Sequence, residues 1–324
     1  MPTKSFAQAL VDALAYSLAG DAAVTIIGRG LTGHGPEADA ERALYDKYAD
    51  RILDPPTSEG VMASVGTGAA MAGLRPFVHF GTAAFAFEAV NQIVNEAGNA
   101  HYMSGGQITA PVIYHLFHGI RGGGGPQHSH SPQAMYANAA GLQILLPASP
   151  ADMQGLLRTA FKSNNPTLLF SHTKLLGVTG AVPEGDFAIP LGVAEVKRKG
   201  KDVTIVATSL MVHEALRAAA TLSAENIEAE VVDPRTAVPL DRAGICESVR
   251  RTGRLVVVDE ANLTCSIASE IAASVAEQAF ASLKAPILRV ARPDAPVAFS
   301  PPLEKAVTPS ADKIVAAVRK VMRG

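Results

Sequence analysis

The chain has 324 residues, enough for two domains, and 48% of them are apolar, enough for a sizeable core. A formal net charge of −2 with no basic block excludes a nucleic-acid footprint, and no apolar run is long enough for a membrane span. The two cysteines, Cys246 and Cys265, have neither metal nor redox spacing, which excludes a disulfide framework and makes a reducing cytoplasm the expected setting.

Residues 4–18 read as an amphipathic helix. It carries Asp12 and no apolar stretch of the kind that follows a basic start, so it is not read as a signal peptide. AAVTIIG at 22–28 is a short buried strand that ends in a loop with Gly28, Gly30, Gly33 and Gly35. No helix with dinucleotide spacing follows, so a nucleotide fingerprint is weak. At 54–60 the chain reads DPPTSEG. Its two prolines keep the approach extended. The next run, VMASVGTGAAMAGL, is small and apolar and reads as a buried helix. Glu59 therefore stands where a loop enters a buried helix, a place where the helix dipole favours a carboxylate. Taken alone, Glu59 also fits an ordinary first-turn acid, or a cap shared with Thr57 and Ser58.

RPFVHF (75–80) is the next strand, 83–100 a helix, and APVIYHLF (110–117) a strand. A loop with GGGGPQHSHS at 122–131 precedes the helix SPQAMYANAAG. LQILLPA (142–148) and TLLFSH (167–172) are strands around a helix capped by Ser149. From 173 to about 200 the pattern lapses into Gly, Pro and charge, which sets a boundary. Domains are expected at 1–180 and 201–324, with 181–200 as linker. A second alternating series follows: strands at VTIVATS (203–209), IEAEVVDP, RLVVVDEA and PILRVAR, and helices between and after them. Strands alternating with helices give two doubly wound, mostly parallel α/β domains. The second domain carries few chemical groups beyond Asp259, Glu260 and His213 and reads as structural and assembly-forming.

Eight of the nine histidines precede residue 180. The pairs His115-x-x-His118 and His128-x-His130 lack the third and fourth ligands a zinc site needs, so no metal site is expected on this chain. His79 and His115 lie in strands and read as hydrogen-bonded core or pocket-wall residues. His128 follows four glycines and a proline, in a loop able to approach a ligand closely. The same loop would also suit a solvated surface position.

Three stretches taken together, DPPTSEG, YMSGG at 102–106 and GGGGPQHSHS, resemble one family. It is the beta subunit of the thiamine-diphosphate-dependent 2-oxo acid dehydrogenases of pyruvate, branched-chain and acetoin types, related to the second half of transketolase. The likeness runs nearly end to end, through GAAMAGLRP, NQIVN, IPLGVAEVKRKGKDVTIVA and VVDPRTAVPLD. It implies a transketolase-like pyrimidine-binding domain followed by a transketolase C-terminal-type domain. It implies that Glu59 hydrogen-bonds N1′ of the cofactor's aminopyrimidine and shares a proton with it. Phe85 matches the aromatic packed on that ring, Tyr102 a tyrosine lining it, and His128 the histidine that relays protons or orients substrate.

The family's Gly-Asp-Gly…Asn-Asn motif for the diphosphate and magnesium is missing here: Asn164-Asn165 has no such partner upstream, and Gly20-Asp21 continues with Ala22. The resemblance therefore implies that an alpha subunit holds Mg2+ and the diphosphate, in an α2β2 assembly that passes an acyl group to a lipoyl-bearing acyltransferase component. Around Ser163, Asn164 and Asn165, some relatives hold a monovalent cation by backbone carbonyls. Departures from the family pattern are Arg29, His79, Asn91, Thr57 and His130. Arg29, His79 and His130 shift local charge in the positive direction, which suggests a more anionic or polar substrate than pyruvate. Two other readings stand beside the leading one: a split transketolase-type subunit moving ketol units between sugars, and a non-catalytic assembly subunit.

Overall fold

A computed structural model describes residues 1–33, 35 and 37–323. The chain packs as two units, Met1–His118 with Met135–Leu191, and Gly119–Ala134 with Gly192–Gly324.

The first unit is built on parallel strands in the order Gln143–Leu145, Thr167–His172, Ile113–His118, Arg75–Thr82, Val24–Ile27 and Ile52–Leu53. Their central members are buried almost throughout, as expected of strands covered on both faces by helices. The helix Phe6–Gly20 begins where the Ser5 hydroxyl accepts from the Gln8 amide at 2.9 Å, and it packs on Pro150–Lys162. Ser149 caps the latter helix as its sequence indicates, accepting from the Asp152 amide at 3.1 Å. The helix Glu59–Met71 lies close on the sheet because Gly66 faces the strand Arg75–Thr82. A Cβ on Gly66 would come within 2.4 Å of the Val78 side chain. The small residues that mark this helix in the sequence thus set its height above the strands, and with it the position of Glu59.

The expected helix over 83–100 is not one regular helix. The chain forms a 3-10 turn at Phe85–Ala89, a π-helical stretch at Asn91–Ala97 and a short helix at Ala100–Met103. Gly98 donates to the Ile93 carbonyl at 3.0 Å, the wider π-type bond. The cause lies in tertiary packing: a Cβ on Gly141 would fall 2.1 Å from the Gly98 carbonyl oxygen, so two backbones meet here. A helix does follow the first glycine loop, at Ala38–Lys47.

The second unit holds the strands Leu288–Arg292, Leu255–Asn262, Val203–Ala207, Ala229–Asp233 and Glu195–Arg198, in that order. The first four run parallel, and Glu195–Arg198 closes the edge antiparallel to Ala229–Asp233. Of the stretch 181–200, residues up to Leu191 pack with the first unit and those from Gly192 with the second, where Glu195–Arg198 is a strand of the sheet. Thr179–Ala181, just before it, pairs antiparallel with Thr3–Ser5 in the first unit. The last helix, Ala311–Met322, starts where the Ser310 hydroxyl accepts from Lys313. The final residue of the expected tail, 324, lies outside the described residues. No helix among the described residues is long and apolar enough to cross a membrane.

Candidate functional site

Glu59 is the first residue of its helix and is buried, with 8% of its surface exposed. Ser58 is the N-cap residue but makes no side-chain cap bond. No hydrogen bond or ion pair reaches the Glu59 carboxylate among the described residues. Its carboxylate oxygens are not among the buried unpartnered atoms, so the side chain keeps a solvent-reachable edge at the helix entrance where a ligand can meet it. Its helix packs on the turn Phe85–Ala89, and a Cβ on Gly60 would stand 3.4 Å from the Glu88 carbonyl oxygen. Phe85 opens that turn and is part-exposed, as are Phe87 on the same turn and Val61 and Val65 on the Glu59 helix. The structure thus brings the Glu59 helix and the Phe85 turn together, with exposed apolar side chains on both. Tyr102, on Ala100–Met103, faces solvent and is 91% exposed.

Next to this lies a polar line that the sequence only partly disclosed. His79 and His115 are register partners on adjacent parallel strands, with their Nδ1 atoms 2.9 Å apart. His115 Nε2 stands 2.9 Å from Ser171 Oγ on the next strand. Burial pushes the His79 ring down to about 4, opposed by the charge of Glu41 and a hydrogen bond to the Gly30 backbone. Burial, then His79, pushes His115 well down. Both rings are therefore neutral at pH 7. A bond that favours the protonated ring is one in which the ring donates, so His79 donates to the Gly30 carbonyl. Its Nδ1 then accepts from His115 Nδ1–H, and His115 Nε2 accepts from the Ser171 hydroxyl.

The line ends on Glu41. Its carboxylate accepts from the amides of Gly30, Leu31 and Thr32 at 2.8–3.0 Å and from the Thr32 hydroxyl at 2.6 Å. Burial pushes Glu41 up, but these bonds outweigh it and hold the carboxyl below its usual range. The reading of His79 and His115 as hydrogen-bonded residues agrees with this geometry. Glu41 and Ser171 were missed because the register that joins them to the histidines is not local.

His128 stands in the second unit, part-exposed at the end of the turn Pro126–His128. The glycines before it are anchored. Glu304 accepts from the amides of Gly122 and Gly123, both at 3.1 Å, and Glu260 accepts from the Ile120 amide. Gly125 has a φ of +60°, and a Cβ there would lie 2.3 Å from the Phe299 ring. Only glycine meets both conditions. After His128, the Ser129 carbonyl accepts from Arg292 at 3.3 Å and the His130 carbonyl from the Gly119 amide at 3.1 Å. Glu304 and Arg292 lie over 160 residues along the chain from the loop, so no sequence signal pairs them with it. Near the residues tied to a monovalent cation, the carbonyls of Phe161 and Ser163 accept from the Arg75 guanidinium at 3.0 and 2.8 Å. A cationic group of the chain itself already faces that loop.

Two family models match the chain: the transketolase pyrimidine binding domain over residues 3–179 and the transketolase C-terminal domain over residues 192–314. The chain is 43% identical to the acetoin:2,6-dichlorophenolindophenol oxidoreductase subunit beta of Cupriavidus necator, with 98% of this chain and 96% of that one aligned. It is 37% identical to the 2-oxoisovalerate dehydrogenase subunit beta of Bacillus subtilis, over 99% of each. Among solved structures it resembles a chain described as a split gene transketolase, inactive beta4 tetramer, with a TM-score of 0.81, 25% identity and 98% of each chain covered.

Proposed function

Because this chain belongs to the transketolase-like beta subunits of the thiamine-diphosphate-dependent 2-oxo acid and acetoin dehydrogenases, we propose that it supplies the pyrimidine half of such an enzyme's active site, with Glu59 as its acid–base group. The observation that carries this reading is Glu59, a largely buried residue whose carboxylate has no hydrogen-bond or ion-pair partner among the described residues, at a helix N-terminus beside the Phe85 turn. These residues fit the cofactor: a carboxyl to hold or share a proton at a ring nitrogen, and an exposed aromatic to pack on a planar ring. When bound, the cofactor supplies the chemistry that cleaves the bond next to the substrate carbonyl. Glu59 fixes the proton at the ring edge, Phe85 orients the ring, Tyr102 closes over it once a partner covers that surface, and His128 holds or moves a proton at the substrate.

An alpha chain completes the site in an α2β2 assembly. Exposed Val61, Val65, Phe85, Phe87, Tyr102 and Met103 support a partner-covered surface, and isolated charges do not account for it. Mg2+ would be held by that partner, and the acyl product would pass to a lipoyl-bearing acyltransferase component. The proposed reaction includes no monovalent cation, since Arg75 already faces the carbonyls at 161 and 163.

A second reading, a split transketolase-type subunit, is favoured by the fold of the split gene transketolase chain, but at 25% identity against 43% for the acetoin relative. The test is to purify the chain with its co-eluting partner and assay both chemistries. Dye reduction with acetoin or a 2-oxo acid, dependent on added thiamine diphosphate, is the expected result. Ketol transfer between sugar phosphates without dye reduction would select the second reading. A chain that elutes without a partner and ignores thiamine diphosphate would contradict both.

A further inference from the structure

The loop that carries His128 packs with the second unit, which holds Gly119–Ala134 together with Gly192–Gly324. It is fastened at both ends. Gly119 donates to the His130 carbonyl at 3.1 Å and so closes the loop on itself. Glu260 accepts from the Ile120 amide, Glu304 accepts from the amides of Gly122 and Gly123, and Arg292 donates to the Ser129 carbonyl. The middle of the loop is different. Gly124, Gly125, Pro126 and Gln127 make no hydrogen bond to another element among the described residues.

What stands against this middle stretch is a ring. A Cβ on Gly125 would come within 2.7 Å of three atoms of Phe299, Cζ, Cε1 and Cε2, so the tip of the ring abuts the Gly125 backbone. Gly125 has φ +60° and ψ −170°, a combination open essentially to glycine alone. A glycine has many other conformations to leave for, and the ring stands where a side chain would otherwise limit them. Phe299 is itself 65% exposed, so burial gains little from keeping it there. The segment behind it is stiff. Pro296, Pro301 and Pro302 fix the backbone on both sides, and Val297 is buried. Five residues on, the buried Glu304 holds the same loop, so the segment meets the loop twice, at Gly122–Gly123 and at Gly125.

From Gly125 to His128 the chain is one 3-10 turn, Pro126–His128, with proline in its first position. The Ser129 amide closes it on the Pro126 carbonyl at 3.4 Å. A turn this short, led by proline, moves as one piece, so the place of Gly125 sets the place of His128. We propose that Phe299 is a positioning residue: its ring takes the place of the missing Gly125 side chain and fixes where the loop presents His128. Its effect on turnover rests on the function proposed above; its effect on the loop does not.

The test compares Phe299→Ala and Phe299→Tyr in the assembled enzyme, by hydrogen exchange of the loop amides and by steady-state dye reduction. In Phe299→Ala, exchange at the Gly125 and Gln127 amides should quicken about tenfold. Its kcat should fall about tenfold with KM little changed, since a displaced catalytic group loses rate before it loses binding. Phe299→Tyr keeps the ring and should restore both. The ring is mostly exposed, so the thermal midpoint of Phe299→Ala should stay within a few degrees of wild type, roughly the range of a surface change. Unchanged exchange in Phe299→Ala, or a loss that Phe299→Tyr does not recover, would overturn the proposal. His128→Ala separates it from the catalytic assignment. If His128→Ala loses turnover while Phe299→Ala keeps it, the ring does not position His128 and the proposal falls. If His128→Ala keeps wild-type turnover, the catalytic assignment of His128 fails, and exchange alone decides the role of Phe299.

Discussion

Two buried polar regions of the first unit are handled in opposite ways. The line Ser171–His115–His79–Gly30 runs across adjacent strands with every ring nitrogen occupied, and Glu41 completes it by accepting amides and a hydroxyl. The carboxylate of Glu59, a residue about as buried, has no hydrogen bond or ion pair among the described residues. A satisfied network rigidifies the fold, and an unsatisfied group is expected only where a ligand completes it. The contrast teaches which buried polar side chains serve the scaffold and which are held for chemistry.

The contrast can be broken most sharply at Glu59. Glu59→Gln in the assembled enzyme should lower turnover about 100-fold or more, the scale of a lost acid–base group. Steady-state assay of dye reduction checks it, and near-normal turnover would remove Glu59 from the chemistry. His115→Ala should instead cost about 3 kcal/mol of stability, because His79 Nδ1 and the Ser171 hydroxyl lose their partners in a buried site and a cavity remains. Urea unfolding of the variant measures it.

The same line gives a pH dependence. His79 has its folded value depressed to about 4, while the unfolded ring titrates near the ordinary 6.5. Below 6.5 the unfolded chain binds a proton that the folded chain refuses, so stability falls as pH drops from 6.5 toward 4. The fall should be on the order of 2–3 kcal/mol and smaller in a His79→Phe variant. Denaturant midpoints at pH 7 and pH 5 show it; a flat profile would mean the pair is not buried neutral.

A smaller effect is expected in the second unit. Glu304→Gln keeps the shape but turns an N–H toward one of two amides that Glu304 now accepts. Amide exchange at Gly122 and Gly123 should quicken, and kcat should fall several-fold with KM little changed, because the loop that carries His128 is held less firmly. Unchanged exchange would show that the glycine loop is positioned without Glu304.

Much of this was open to sequence reading. Alternating strands and helices, the Ser149 cap and the small-residue helix after Glu59 all follow local rules, and they appear where those rules place them. What local rules did not show depends on distant contacts. The segment 83–100 breaks into three short pieces because Gly98 meets Gly141, a contact no periodicity encodes. The helix Ala38–Lys47 has few apolar residues, and Glu41 ties it to the glycine loop. His79 and His115 could be read as buried, but their pairing needs the strand register, and Glu304 and Arg292 reach the His128 loop from the far end of the chain. Glu59, Phe85, Tyr102 and His128 were proposed through resemblance, because each is chemically ordinary in isolation.

The most direct test of the account is the thermal midpoint of Glu59→Gln beside that of wild type, in the chain without cofactor. A carboxylate kept for a ligand should be worth nothing to the fold, so the midpoint should stay the same or rise. A drop of several degrees, comparable to that of His115→Ala, would mean that Glu59 is part of the scaffold and would contradict the central claim.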